Sequence, residues 1–334
     1  MNKVYTSVTS CLASIKDFLV SAGYTIDTDI SSNWRGSVFV VDTLDSKYKL
    51  IFYDYENRLY VTIAKSFDNS IYFYKQDSTI RANKLGSGQY ATMEIESFEG
   101  DLYCNSNGNS LMFAKIETST VARMTQFVFI GDLVRKFNEI ESGIFIGGTQ
   151  MALHVDKTTT DVDVFEDNRF ALRNKRAVFI ALLSEIDDAP IKERDNTIWA
   201  TNFDISTLNL VCSLTMKNRG ADLPTYGNFN STALNLTTMD FNTANAITLC
   251  LPLMFFVIRD PQILDTYSLV GTNDIITYVD MFNMSSGRMI DSSYPVKKNE
   301  YQCFSIYTRR NVEGMLGYVG VAFKQEDINS AIRH

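Results

Sequence analysis

The fold is decided by the stretch Ser37-Val-Phe-Val-Val41, Asp42-Thr-Leu-Asp-Ser46, Tyr48-Lys-Leu-Ile-Phe-Tyr-Asp-Tyr55, Glu56-Asn57, Leu59-Tyr-Val-Thr-Ile63 and, a little further on, Ile71-Tyr-Phe-Tyr74. Aromatic and β-branched residues fit a pleated, half-buried surface, and the polar pairs between the runs are turn formers. Runs this short with turns this tight leave no room for a crossover helix, so the pairing has to be antiparallel. The reading is four strands of a meander over residues 37 to 74.

Working outward, residues 4 to 22 carry Leu12, Ile15, Leu19 and Ala22 at helical spacing, and Gly23 is a standard stop. One amphipathic helix packed on the core is expected there. Residues 75 to 89 read as a loop. Tyr90 to Phe98 sets Met93 and Ile95 against Glu94 and Glu96, which predicts a strand with one buried and one wet face. Asn105-Ser-Asn-Gly-Asn109 predicts a tight turn, with Asn and Gly supplying positive φ, and Leu111 to Ile116 a strand pairing back. Phe127 to Ile130 and Ile144 to Gly148 read as strands, with Leu133 to Ile140 as a short helix between them.

The second half repeats the style. Val178 to Leu183, Ile198 to Phe203, Leu208 to Met216, Ile247 to Ile258, Ile275 to Phe282, Tyr301 to Thr308 and Tyr318 to Phe323 all read as strands. Residues 218 to 245 form a long polar segment, of a kind that is usually functional or interface-forming. The expected class is α+β, mostly antiparallel sheet with an N-terminal amphipathic helix. Length suggests two units, 1–150 and 151–334.

Composition narrows the function. A chain of 334 residues with 45% hydrophobic residues buries a core without disulfide or metal staples. Net charge −8 argues against the basic face that a nucleic-acid binder needs. Cys11, Cys104, Cys212, Cys250 and Cys303 are odd in number, scattered and lack CxxC spacing, which reads as free thiols in a reducing compartment. Asp17 interrupts the N-terminal apolar residues, so no secretory segment is expected, and the apolar run ending at Ile258 is too short to span a bilayer.

Chemistry-bearing motifs are sparse. The two histidines are His154, in a strand-like run, and His334. No GxSxG elbow, paired zinc ligands, Walker lysine or dinucleotide fingerprint accompanies them. Asp161 and Asp163 fall on one face of a strand, where two acids can hold a cation or a sugar, though a solvated strand face has the same pattern. The sharper feature is a charge pattern. Asp161, Asp163, Glu166 and Asp167 form an acidic block, and Arg169, Arg173, Lys175 and Arg176 a basic one. Such blocks pair either within the fold or head to tail between identical subunits of a ring. No catalytic residue, cofactor or metal site is expected, and the chain reads as a non-enzyme.

Trp34-Arg-Gly-Ser-Val-Phe-Val-Val41, the strand Tyr318-Val-Gly-Val-Ala-Phe-Lys324 and the preceding Arg309-Arg310, taken with the Asn/Ser/Thr-rich loops, resemble virion structural proteins of tailed bacteriophages. The resemblance implies a subunit of the neck or collar, tail or baseplate, assembled in the host cytoplasm and located in the virion. Its partners would be itself, in a homo-oligomeric ring, and other virion proteins, with no membrane and no specific nucleic acid. The alternative is a receptor- or carbohydrate-binding virion protein, or a carbohydrate-active enzyme using Asp161 and Asp163 with exposed tyrosines stacked on sugar.

Overall fold

A computed structural model describes residues 3–5, 8–33, 36–55, 58–76, 89–96, 100–117, 125–136, 140–155, 179–186, 210–212, 250–258, 267–280, 286–291, 300–305 and 319–325. In chain order the elements are β1 (Lys3–Tyr5), α1 (Val8–Ser21), β2 (Ile26–Asn33), β3 (Gly36–Asp42), β4 (Lys49–Tyr55), β5 (Arg58–Ala64), a 3-10 turn (Phe73–Lys75), β6 (Gln89–Glu96), β7 (Gly100–Asn107), β8 (Ser110–Glu117), β9 (Thr125–Asp132) and β10 (Arg135–Lys136). Then come β11 (Ile140–Gly148), β12 (Met151–Val155), β13 (Phe179–Ile186), β14 (Leu210–Cys212), β15 (Cys250–Ile258), β16 (Tyr267–Asp280), β17 (Met289–Ile290), β18 (Tyr301–Ser305) and β19 (Val319–Lys324).

These strands form three antiparallel sheets, so the chain is α+β and dominated by antiparallel sheet. The outer sheet runs β12-β6-β5-β4-β3-β2, the middle sheet β1-β7-β8-β9-β11-β13, and the third sheet β14-β15-β16-β19-β18-β17 with β10 beside β16. The deciding stretch forms three adjacent strands of the outer sheet, with Phe39 opposite Phe52 and Phe52 opposite Val61. Strand alternation sends Phe39, Leu50, Phe52, Leu59, Val61, Met93 and Ile95 to one face. They meet Leu111, Phe113, Val128, Ile130, Ile144 and Ile146 of the middle sheet in one apolar core. Helix α1 adds Leu12, Ile15 and Leu19 to the same core. The helix stripe at i, i+3 and i+7 therefore faces its own core.

The opposite face of the middle sheet meets the third sheet. Phe145 packs on Phe255 with ring centroids 4.8 Å apart, and Tyr103 meets Phe304 edge-on at 5.8 Å. The strands β12 and β13, beyond residue 150, belong to the outer and middle sheets, and β10 joins the third.

Several expectations need correction. The helix begins at Val8, and Lys3–Tyr5 pairs with Gly100–Leu102, giving Val4 and Tyr5 a strand environment. The fourth aromatic run is not a strand. Its Phe73–Lys75 turn folds back over the outer sheet, and Phe73 stacks on Tyr53 at 3.7 Å. Buried Gln76 closes this loop by donating to the carbonyls of Asp68 and Tyr72 and accepting from the Asp68 amide at 2.5 Å. The wet face expected on β6 is largely dry: Thr92 and Glu94 are buried, and Glu96 at the strand end is partly exposed. The helix expected from Leu133 gives way to the short strand β10, whose residues pair with Gly271 and Thr272. At the hairpin tip only Gly108 has positive φ, +57°, the first of the two loop residues between Asn107 and Ser110. A type II′ turn asks for glycine at that place.

Candidate functional site: an apolar end of the sandwich

The acidic and basic blocks, Asp161, Asp163, Glu166, Asp167, Arg169, Arg173, Lys175 and Arg176, lie outside the described residues, as does the polar segment 218–245. His154 lies in β12 at the register position opposite Tyr90. Cys11, Cys104, Cys250 and Cys303 are free thiols. Burial holds Cys104 and Cys250 protonated, with pKa pushed up to about 12 in each. Among the described residues no three His, Cys, Asp or Glu side chains gather as a metal site.

What the fold does gather is apolar surface at one end of the outer-middle sandwich. Val20, Leu44 and Val134 are 52%, 48% and 49% exposed, and a chain of hydrogen bonds brings their segments together. Val20 is in the last turn of α1, which Gly23 ends at φ +89° by donating its N–H to the Val20 carbonyl. Tyr24 follows, and its hydroxyl donates to the Gly108 carbonyl at 2.9 Å. On the next residue, Asn109 Oδ1 accepts from the Leu44 amide at 2.8 Å, while Nδ2 donates to Asp132 Oδ2 at 2.7 Å. Val134, two residues on, donates its amide to the Thr272 carbonyl at 2.8 Å.

Local chemistry stiffens each segment. In the β3–β4 turn, Thr43 Oγ1 donates to Asp45 Oδ1 at 2.7 Å and accepts from the Tyr48 amide at 3.1 Å. Ser46 takes φ 57° there, a left-handed conformation uncommon for a residue other than glycine. The side chains of Leu44 and Val134 therefore stand on backbone that is held in place. Asp45, Lys47 and Arg135 are exposed beside them, so the end carries both signs of charge. Leu44 and Val134 are exposed aliphatic side chains beside charges of both signs.

The outer face of the first sheet is a different kind of surface. Tyr53, Tyr60, Phe73 and Tyr74 are buried in one another, and Tyr55, Phe67 and Tyr72 are half-buried around them. Tyr72 stacks on Tyr74 at 5.3 Å, and the Lys75 ammonium lies 5.1 Å from the Tyr72 ring centre. These rings are spent on intramolecular packing.

A buried polar corner also escaped the sequence reading. The chain leaves β11 in the middle sheet and enters β12 in the outer one through Thr149 and Gln150. Gln150 Nε2 donates to Glu94 and, at 3.0 Å, to Glu96, while Gln126 Nε2 donates to Gln150 Oε1 at 2.8 Å. The Glu94 amide donates to the Gln150 carbonyl and the Glu96 amide to Gln126 Oε1, at 3.0 and 2.7 Å. The corner thus satisfies β6 amides just beyond the residues that pair with β12. Lys115, at the register position opposite Gln126, is buried too, and desolvation lowers its ammonium pKa. Alternation placed Glu94 and Glu96 on a solvent face, and no periodicity rule marks Gln126, Gln150 or Lys115. The only signal for Gln126 and Lys115 was their polarity beside runs that otherwise read as core.

Comparison with protein-family models gave no match, and comparison with curated proteins gave none. Among the described residues no helix is long and apolar enough to cross a membrane.

Proposed function

We propose that this chain is a structural subunit of a phage virion, a ring-forming component of the neck, collar or tail that acts through protein-protein contacts. The observation that carries the contact is the apolar end built by Val20, Leu44 and Val134 on hydrogen-bonded loops. The phage setting rests on the resemblance of the segments ending at Val41 and Lys324. Three half-exposed aliphatic side chains supply roughly a few hundred Å² of apolar surface, less than the ~800 Å² per partner of a stable interface. One such contact is weak alone, which suits a subunit that assembles by meeting several neighbours at once.

Sizing across a concentration series, with imaging for rings, tests the reading. Assembly of the natural chain is expected, and its loss in the double variant Leu44→Asp, Val134→Asp with an unchanged melting temperature. A natural chain that stays monomeric at every concentration, or a double variant that assembles normally, overturns it.

A further inference from the structure

The hairpin tip between β7 and β8 holds Asn107-Gly108, the only Asn-Gly step in the sequence. Glycine after asparagine leaves the peptide nitrogen open to the asparagine side chain, because no Cβ stands in the way. Here Gly108 is exposed, and apart from its own chain neighbours no described residue lies within 4 Å of the position its Cβ would take. Asn107 itself is only partly buried.

We propose that Asn107 is a deamidation site. The Gly108 nitrogen attacks Asn107 Cγ, and a C–N bond closes a five-membered succinimide. The side-chain nitrogen leaves as ammonia, carrying the proton given up by Gly108. Water then adds to one ring carbonyl and opens the ring to aspartate or isoaspartate. The step needs water and no oxidant or cofactor.

The structure gives this change a consequence. Asn107 Nδ2 donates to the Lys324 carbonyl at 3.1 Å, tying the middle-sheet hairpin to the end of β19 in the third sheet. A carboxylate has no donor to offer and sets an anion against that carbonyl. Isoaspartate also inserts an extra backbone atom before Gly108, which displaces Asn109 from Leu44 and Asp132. Conversion therefore loosens both the tie to the third sheet and the apolar end. The chemistry stands whether or not that end meets a neighbour.

The test is ageing of the full chain in mildly alkaline buffer, followed by peptide mass mapping. A gain of about 1 Da is expected at Asn107 before any other asparagine, with one extra negative charge on a chain of net −8. Asn105 in β7 and Asn109 in the turn, neither followed by glycine, are the internal controls. Asn107→Gln, which closes a six-membered ring far more slowly, should abolish the gain. Asn107→Asp should speed hydrogen exchange at the Gln325 amide without ageing. Asn107 that keeps its amide while Asn105, Asn109 or other asparagines convert overturns the site. Unchanged exchange in Asn107→Asp overturns its structural consequence. Neither readout depends on assembly, so failure here is distinct from failure of the ring.

Discussion

Phe113 and Phe145 sit on opposite faces of the middle sheet and look into junctions of different character. On the Phe113 side, toward the outer sheet and α1, the contact is a continuous apolar core. Phe52 is wedged there between Phe39, stacked at 4.8 Å, and Phe113, edge-on at 5.5 Å. On the Phe145 side, toward the third sheet, aromatic contacts are interleaved with directional polar ties. Asn105 Nδ2 donates to Gln302 Oε1 at 2.8 Å, and Thr125 and Ser286 share a hydroxyl bond at 2.9 Å. Buried Asn273 donates to the Asp132 carbonyl and accepts from the Ile275 and Ile276 amides. Apolar packing rewards burial with little regard to direction, whereas a hydrogen bond fixes position. The first junction supplies cohesion. The second adds registration, and its Asn273 tie also closes a bulge at residues 274–276 of β16.

The largest test strikes the apolar junction. Phe52→Ala removes a fully buried ring and should cost about 3–5 kcal/mol, read as a lower urea midpoint with an unchanged slope. A cost below ~1 kcal/mol would mean the two sheets do not share one core.

Asn273→Ala strikes the polar junction. It strands the buried Ile276 amide, the part-buried Ile275 amide and the Asp132 carbonyl, and should cost about 3 kcal/mol. The Ile275 and Ile276 amides should lose hydrogen-exchange protection first. If protection falls evenly over the whole chain, the tie is not local. The two junctions share no partners, so the double variant with Phe52→Ala should be additive.

Thiols probe the first junction and the far face of the third sheet by pH, since Cys250 packs there on Val279, Tyr301 and Cys303. Cys104 flanks the first core and Cys250 lies in the third sheet, and burial raises both to about 12. An unfolded thiol titrates near ~8.5. Between those values the unfolded chain binds fewer protons than the folded one, so stability falls as pH rises. The thiols' contribution is full below pH ~8.5 and fades toward pH ~12. Melting temperature should drop across that window, and iodoacetamide should label both cysteines slowly at neutral pH until urea unfolds the chain. Rapid labelling of one alone would show that its region, the first junction for Cys104 or the third sheet's far face for Cys250, opens first.

The smallest effect lies on the outer sheet's other face. Thr62 Oγ1 is buried and finds no hydrogen-bond partner among the described residues. Thr62→Val keeps the shape, removes the orphaned hydroxyl and should stabilise by about 1 kcal/mol in thermal melts. Destabilisation would mean the hydroxyl is satisfied after all.

By itself the sequence determined where many of the strands form. Alternation and turn chemistry named the runs at 37–41, 48–55, 59–63, 111–116, 127–130 and 144–148, the hairpin at Gly108, and the apolar stripe of α1, because these signals are local and set by the backbone's own periods. Tertiary structure decided what covers each face. Tyr72-Phe73-Tyr74 has strand-like residues, yet stacking on Tyr53 and the bonds of Gln76 bend it into a 3-10 turn. Glu94 alternates as a solvent residue should, yet Gln150, distant in sequence, closes over it. Val20, Leu44 and Val134 look like scattered surface residues, and only the bonds joining Tyr24 to Gly108 and Asn109 to Leu44 and Asp132 place them at one end. Period and propensity fix which way a side chain points, but the free energy of a face depends on the partner brought there by distant chain, and no local pattern encodes that partner.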